Sequence, residues 1–180
     1  MSIFLIWRSY ELTGPLSELE GVGWFGQLMS ALVVNIFVTG IFAFAGFALP
    51  TEKLMPSNYY QIHHPKRLKK WYKKLGVESF RKFLLATFWK KKEQQQKFFN
   101  GKISGLRVFE IQTKKAEFGH LLPFILISLI SIYFVLLQKW WIFLFTLLVN
   151  IIFNFYPILL QRHHRHRLSR LKKIIARKNK

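Results

Sequence analysis

The chain has no cysteine, so it can form no disulfide, offers no thiolate nucleophile and holds no Cys-ligated metal. Acidic side chains are scarce too: 8 Asp plus Glu stand against 28 Lys plus Arg, a net charge of +20 on 180 residues. Such self-repulsion opposes collapse of a soluble core, yet 51% of the residues are hydrophobic. Segregation reconciles the two facts. Three long runs lack ionisable side chains, apart from one histidine near the start of the second, and the basic residues fill the segments between and after them. No RNA- or DNA-binding motif accompanies the charge, so no nucleic-acid partner is expected.

The runs cover residues 27–51, 118–138 and 140–160. Each reaches the roughly 20 residues that cross about 30 Å of hydrocarbon at about 1.5 Å per residue. The expected fold is therefore an all-α integral membrane protein with three transmembrane helices. Before them, residues 1–27 contain Gly14, Pro15, Gly21 and Gly23, which oppose a continuous helix. The apolar start, Ile3 to Trp7, is too short to cross and is interrupted by Arg8, so it is expected to be interfacial or re-entrant. Ala43, Phe44 and Ala45 form an A-x-A-like step, but a cleaved signal peptide needs a positive start, and here the start is acidic and the following loop basic.

Charge orients the spans. Residues 1–27 carry Arg8 against Glu11, Glu18 and Glu20, and Lys139 alone separates the second span from the third. Residues 52–117 are strongly basic, as is the tail, 161–180, which has no acid. The positive-inside rule then places the N-terminus outside and the C-terminus inside, with 52–117 as a basic cytoplasmic loop. Juxtamembrane Lys and Arg hold such an orientation and attract anionic headgroups. In the loop, Leu68, Trp71, Tyr72 and Leu75 recur at helical spacing among lysines, the pattern of an amphipathic helix in the headgroup plane capped by Gly76. A second such stretch runs from Phe80 to Trp89, and Asn100, Gly101 and Gly105 mark a turn. His63 and His64, before Pro65, read as solvated interface residues.

Because only Gln138 and Lys139 separate the last two spans, these form a tight antiparallel hairpin, and its two cytoplasmic feet hold the polar residues. Glu117 and His120 stand three apart at one foot, on one helical face. They either snorkel to the interface or form a site, since an ionisable group at the mouth of a membrane helix is costly without a partner. On the third span, Asn150, Asn154 and Gln161 fall within about 40° of one another at 100° per residue, with Pro157 on the same side. This stripe is either interhelical glue or a cavity lining. Pro157 also frees the carbonyl of Phe153. Reflection through the turn sets Glu117 level with Leu160 and His120 level with Pro157, so Glu117, His120, Asn154, Gln161 and Arg165 are expected to converge at the cytoplasmic interface.

The stretches TKKAEFGH, Thr113 to His120, and NIIFNFYPILLQRHHRHRLSRLKK, Asn150 to Lys173, resemble the glycosyl-4,4'-diaponeurosporenoate acyltransferases of bacterial carotenoid pathways. That family similarly shows a basic residue and Ala-Glu-x-x-His before an apolar hairpin, then Asn, Pro, Gln-Arg and alternating Arg near a basic C-terminus. The likeness covers the last 70 or so residues well and the first span and loop in outline. His163 and His164 stand where the family has tyrosine and asparagine, and the central loop departs from its usual tryptophan and lysine pattern.

The resemblance implies a multi-pass protein of the bacterial plasma membrane that transfers a fatty acyl group to a sugar hydroxyl of a glycosylated carotenoid or similar glycolipid. His120 would be the general base. Glu117 would fix its tautomer or bind the sugar. Asn154 or Gln161 would donate to the oxyanion, with Asn150 on the same substrate-facing stripe. Arg162, Arg165 and Arg167 would hold the phosphates of an acyl-CoA cosubstrate. No bound cofactor or metal is implied, and a dimer would help three thin helices enclose a site. Two other functions compete. A membrane adaptor would bind anionic lipid or a partner through the basic loop and tail. A metal-dependent oxidase would use Glu117, His120, His163, His164 and His166, although the arginines beside them disfavour a cation.

Overall fold

The computed structural model describes Trp7, residues 22–87 and residues 105–178. Ile3 to Ile6, Arg8, Phe88, Trp89, Asn100 and Gly101 lie outside the described residues. Among the described residues there is no strand, and the protein is all-helical, as its composition leads one to expect. The helices are α1 (Trp24–Ala48), a 3-10 turn (Thr51–Lys53), α2 (Ser57–Tyr60), α3 (Pro65–Lys74), α4 (Val77–Thr87), α5 (Gly105–Leu136) and α6 (Trp140–Asn150). A π turn (Ile151–Phe155) then joins α6 to α7 (Tyr156–Lys178). Three helical stretches, Trp24–Ala48, Gly105–Leu136 and Trp140–Ile175, are long and apolar enough to cross a membrane, so this is a membrane protein. The second begins well before residue 118, because nothing from Leu106 to Lys115 breaks a helix.

The chain divides into two compact units, one of Met1–Pro50 with Phe118–Pro157, the other of Thr51–Glu117 with Ile158–Lys180. In the first, α1 packs on α6. The turn between α5 and α6 is a Schellman motif: Lys139 N–H donates to Phe134 C=O at 2.9 Å and Gln138 N–H to Val135 C=O at 2.9 Å. Gln138 takes the left-handed conformation at φ 57°, which only glycine adopts without strain. Phe134 and Ile142 close against each other behind the turn, with Ile130 and Phe143 around them.

Two backbone features shape this unit. Pro123 sits inside α5 without ending it, and the residue whose carbonyl its ring crowds is Gly119. A Cβ on Gly119 would stand 3.3 Å from the Cα of Ala43, so α1 and α5 touch there backbone to backbone. The π turn ends two residues before Pro157, and Tyr156 N–H reaches back five residues to Ile151 C=O. A wider turn accommodates the proline ring and its missing donor without breaking the helix.

In the second unit, Tyr72, Val77 and Leu160 form a buried cluster ringed by Leu68, Leu75, Phe80 and Leu84. Gly76, at φ 64°, ends α3 and lets α4 fold back on it. The apolar face of α3 thus packs against protein. The helix beyond residue 157 continues through Lys178 and supplies Leu160 as the buried partner. Only Trp71 of the expected stripe stays outside, 47% exposed.

Candidate active site

Within the first unit a chain of polar side chains runs through otherwise apolar helices. Ser128 Oγ donates to Phe124 C=O at 2.7 Å. Asn150 Nδ2 donates to the same carbonyl at 3.0 Å and to Ser128 Oγ at 3.1 Å. Asn154 Nδ2 donates in turn to Asn150 Oδ1 at 2.9 Å, and the Thr39 hydroxyl lies 3.0 Å from Asn154 Nδ2 and 3.1 Å from its Oδ1. The chain ends on His120, whose Nδ1 is 3.2 Å from Asn154 Oδ1.

The amide oxygen of Asn154 is an acceptor, so it suits the tautomer with the imidazole proton on Nδ1, which leaves Nε2 as the basic nitrogen. The His120 ring also hydrogen-bonds the backbone of Phe153. Pro157 has no N–H to offer that residue's carbonyl, so the proline that widens the helix leaves its acceptor for a side chain. Asn150 and Asn154 are fully buried; each is satisfied, which is the condition for an amide in hydrocarbon.

Within the second unit Glu117, fully buried, is enclosed by donors. Arg162 Nε donates to its Oε1 at 2.8 Å, Tyr59 Oη donates to the same oxygen at 2.7 Å, and Arg165 Nη2 donates to Oε2. Arg165, 6% exposed, adds a bond from Nη1 to Thr113 C=O at 3.4 Å. The two guanidiniums lie over aromatic rings, Arg162 over Tyr59 at 4.8 Å and Arg165 over Tyr60 at 5.1 Å. Burial and the Glu117 carboxylate push the Tyr60 phenol up to about 12, and the same two causes raise Tyr59.

The expected constellation therefore falls into two sets. His120 meets Asn154, and through it Asn150; Glu117 meets Arg162 and Arg165. The group on His120 Nδ1 is an amide oxygen, and both carboxylate oxygens of Glu117 are engaged by Tyr59 and the arginines. The amide N–H groups of Asn154, directed to Asn150 and Thr39, are already used. Gln161 is half-buried and Arg167 exposed, both in the second unit. His163 packs on Tyr72 and stands 3.7 Å from Glu78, and His164 packs on Phe109. Among the described residues no three His, Asp or Glu side chains gather as metal ligands.

Sequence reasoning missed Thr39, Ser128, Tyr59 and Tyr60. Thr39 had a signal: Asn35 and Thr39 repeat in the first run the four-residue polar spacing of Asn150 and Asn154. Asn35 is fully buried and donates to Ala31 C=O at 2.9 Å and Thr146 C=O at 3.4 Å.

No curated protein matches the chain, and no solved structure does. The sequence pattern of glycosyl-4,4'-diaponeurosporenoate acyltransferases matches residues 56–174, which takes in Tyr59 and the whole of α3 as well as His120, the asparagine chain and the arginine pair. With two thirds of its length matched in this way, the chain belongs to the glycosyl-4,4'-diaponeurosporenoate acyltransferase family.

Proposed function

We propose that the protein transfers a fatty acyl group from a thioester donor, of which acyl-CoA is the expected form, to a sugar hydroxyl of a glycosylated carotenoid or similar membrane glycolipid. The observation that carries the reading is the Asn154 to His120 bond, which orients an imidazole inside apolar helices with Nε2 as its base. A sugar hydroxyl is a weak nucleophile, and a general base contributes roughly 10²- to 10⁴-fold to such a reaction. His120 Nε2 takes the hydroxyl proton as the oxygen attacks the acyl carbonyl carbon. The tetrahedral intermediate collapses with loss of thiolate, and the imidazolium returns the proton to it, leaving ester and free thiol.

In this reading Asn154 and Asn150 position the base. Gln161 keeps the role of oxyanion donor that its motif gives it, and Arg167 that of an outer phosphate contact. Glu117 is the anchor of Arg162 and Arg165. The N-out, C-in orientation and a site at the cytoplasmic face of the bacterial plasma membrane complete the proposal, since a CoA thioester is a cytoplasmic donor.

The test is lipid and pigment profiling of a deletion strain complemented with wild type or with His120→Ala. Wild type is expected to restore the acylated glycolipid, and the variant, inserted at equal level, to leave the unacylated precursor accumulating. Equal restoration by both removes His120 from the chemistry. The adaptor reading draws on the exposed lysines of α3. It predicts an unchanged lipid profile on deletion and full function after the basic residues are reordered at constant charge.

A further inference from the structure

The second unit holds a cavity of about 240 Å³, and most of its lining lies on the 59–71 segment, outside the residues to which the sequence motif gives a role. Arg162 and Arg165 contribute to its lining, and Tyr59 and Tyr60 stand beside them. Its mouth is formed by His63, His64 and Arg67, all exposed, and one wall by Leu68 and Trp71. A shallower recess of about 380 Å³ shares the mouth residues and adds Lys66. No acidic residue lines either space. The nearest carboxylate, Glu117, has both oxygens engaged.

Charge and backbone point the same way. Nε of Arg162 donates to Glu117 and the guanidinium also hydrogen-bonds Tyr59; the N–H donors a guanidinium has beyond these suit the planar edges of a phosphate. The ten-residue α3 begins at this mouth, with Pro65 first, no acidic residue in its first turn and no side-chain cap from His64. Its leading N–H groups therefore lack protein partners, as at helix ends that receive anions. Trp71 gives the wall an exposed aromatic face.

We propose that this cavity binds a phosphate-bearing ligand, with Arg67 and Arg162 on the phosphate oxygens, the first turn of α3 beneath them and Trp71 against the adjoining group. The phosphate can come from a nucleotide, such as the adenosine 3'-phosphate 5'-diphosphate end of a CoA thioester, or from an anionic phospholipid headgroup. The link to acyl transfer rests on the function proposed above; the binding site itself does not.

Full-length protein in phosphatidylcholine nanodiscs is titrated with adenosine 3',5'-bisphosphate, with adenosine as the phosphate-free control, and tryptophan fluorescence is read in wild type and Trp71→Phe. Arg67→Gln and His64→Asn probe the mouth. Lys173→Gln, which removes the same charge as Arg67→Gln from an exposed part of α7, probes bulk electrostatics. The expected result is at least a tenfold loss of affinity with Arg67→Gln, little change with Lys173→Gln and no binding of adenosine. If the bisphosphate does not bind but phosphatidylglycerol is retained on purification in an Arg67-dependent way, the cavity is a headgroup site. Binding of neither, or equal weakening by Arg67→Gln and Lys173→Gln, overturns the proposal. Because no turnover is measured, this result is independent of whether His120→Ala abolishes transfer.

Discussion

Asn154 presents its amide oxygen to Nδ1 of His120 at 3.2 Å while its amide nitrogen is held by Asn150 and Thr39. An amide so anchored cannot rotate to offer its N–H groups to the imidazole without breaking two other hydrogen bonds. The orientation of the ring and the site of its proton are therefore set by the asparagine chain.

Replacing the base is expected to lower acyl transfer by about 10²- to 10⁴-fold in His120→Ala. Asn154→Leu should lie between that variant and wild type, with the loss in kcat and KM little changed, because the base stays but loses the amide that orients it, along with that amide's bonds to Asn150 and Thr39. Asn154→Asp keeps an acceptor on Nδ1 and should be more active than Asn154→Leu. Equal activity of the two would show that the residue only packs. Steady-state transfer to a radiolabelled acceptor in membranes reads all three.

Breaking the buried cluster in the second unit should be costly. Glu117→Leu leaves Arg165 buried without its counter-charge, and loss of one partner of such a pair costs about 3–5 kcal/mol. Glu117→Leu combined with Arg165→Leu removes the two buried charges, leaving the part-exposed Arg162 to solvent, and is expected to be more stable than Glu117→Leu alone. Thermal denaturation of the detergent-solubilised proteins gives the comparison, and strict additivity would contradict the pairing.

At Gly119 a methyl group would be forced to within 3.3 Å of the Ala43 Cα. The neighbour is backbone, so α1 itself has to shift. Gly119→Ala is expected to destabilise by about 1–3 kcal/mol, seen as a lower melting temperature. A neutral result would mean that α1 moves freely there.

Gln138 occupies a left-handed position, which costs a side-chain-bearing residue roughly 1–2 kcal/mol. Gln138→Gly relieves this at some cost in unfolded-chain entropy and should raise the melting temperature. Gln138→Val should lower it. The same melts report both.

The Tyr60 phenol is raised from 10.0 to about 12 by burial and by the nearby Glu117 charge, with Arg165 partly offsetting them. A raised pKa favours the protonated phenol in the fold, so its contribution to stability is complete below pH 10 and fades as pH rises through about 12. The difference in absorbance titration at 295 nm between wild type and Tyr60→Phe should show a step near 12; a step near 10 would mean that the ring is not buried.

The helices could be read because uncharged runs of about 20 residues have few alternatives to spanning a bilayer, and a gap of one lysine leaves no room for anything but a hairpin. The asparagine stripe was equally plain, since two amides one turn apart stand out in an apolar helix. What covers each apolar face was not. Helical spacing on α3 marks Leu68, Tyr72 and Leu75 as one face, but the same pattern serves lipid and protein alike. The partners of Glu117 were hidden for a different reason. Tyr59 is 58 residues away in a four-residue helix, which is too short to show a period. Spacing placed Glu117 and His120 on one side of a helix and left open which groups each would meet.

The close seam at Gly119 also bears on how a lipid acceptor reaches the base. With backbone against backbone at Ala43, no hydrocarbon chain slides between α1 and α5 at that level, one residue from His120. Under the proposed acyl transfer, a glycolipid would have to present its sugar to His120 by a route other than this seam, which makes the seam a constraint on the direction of substrate approach.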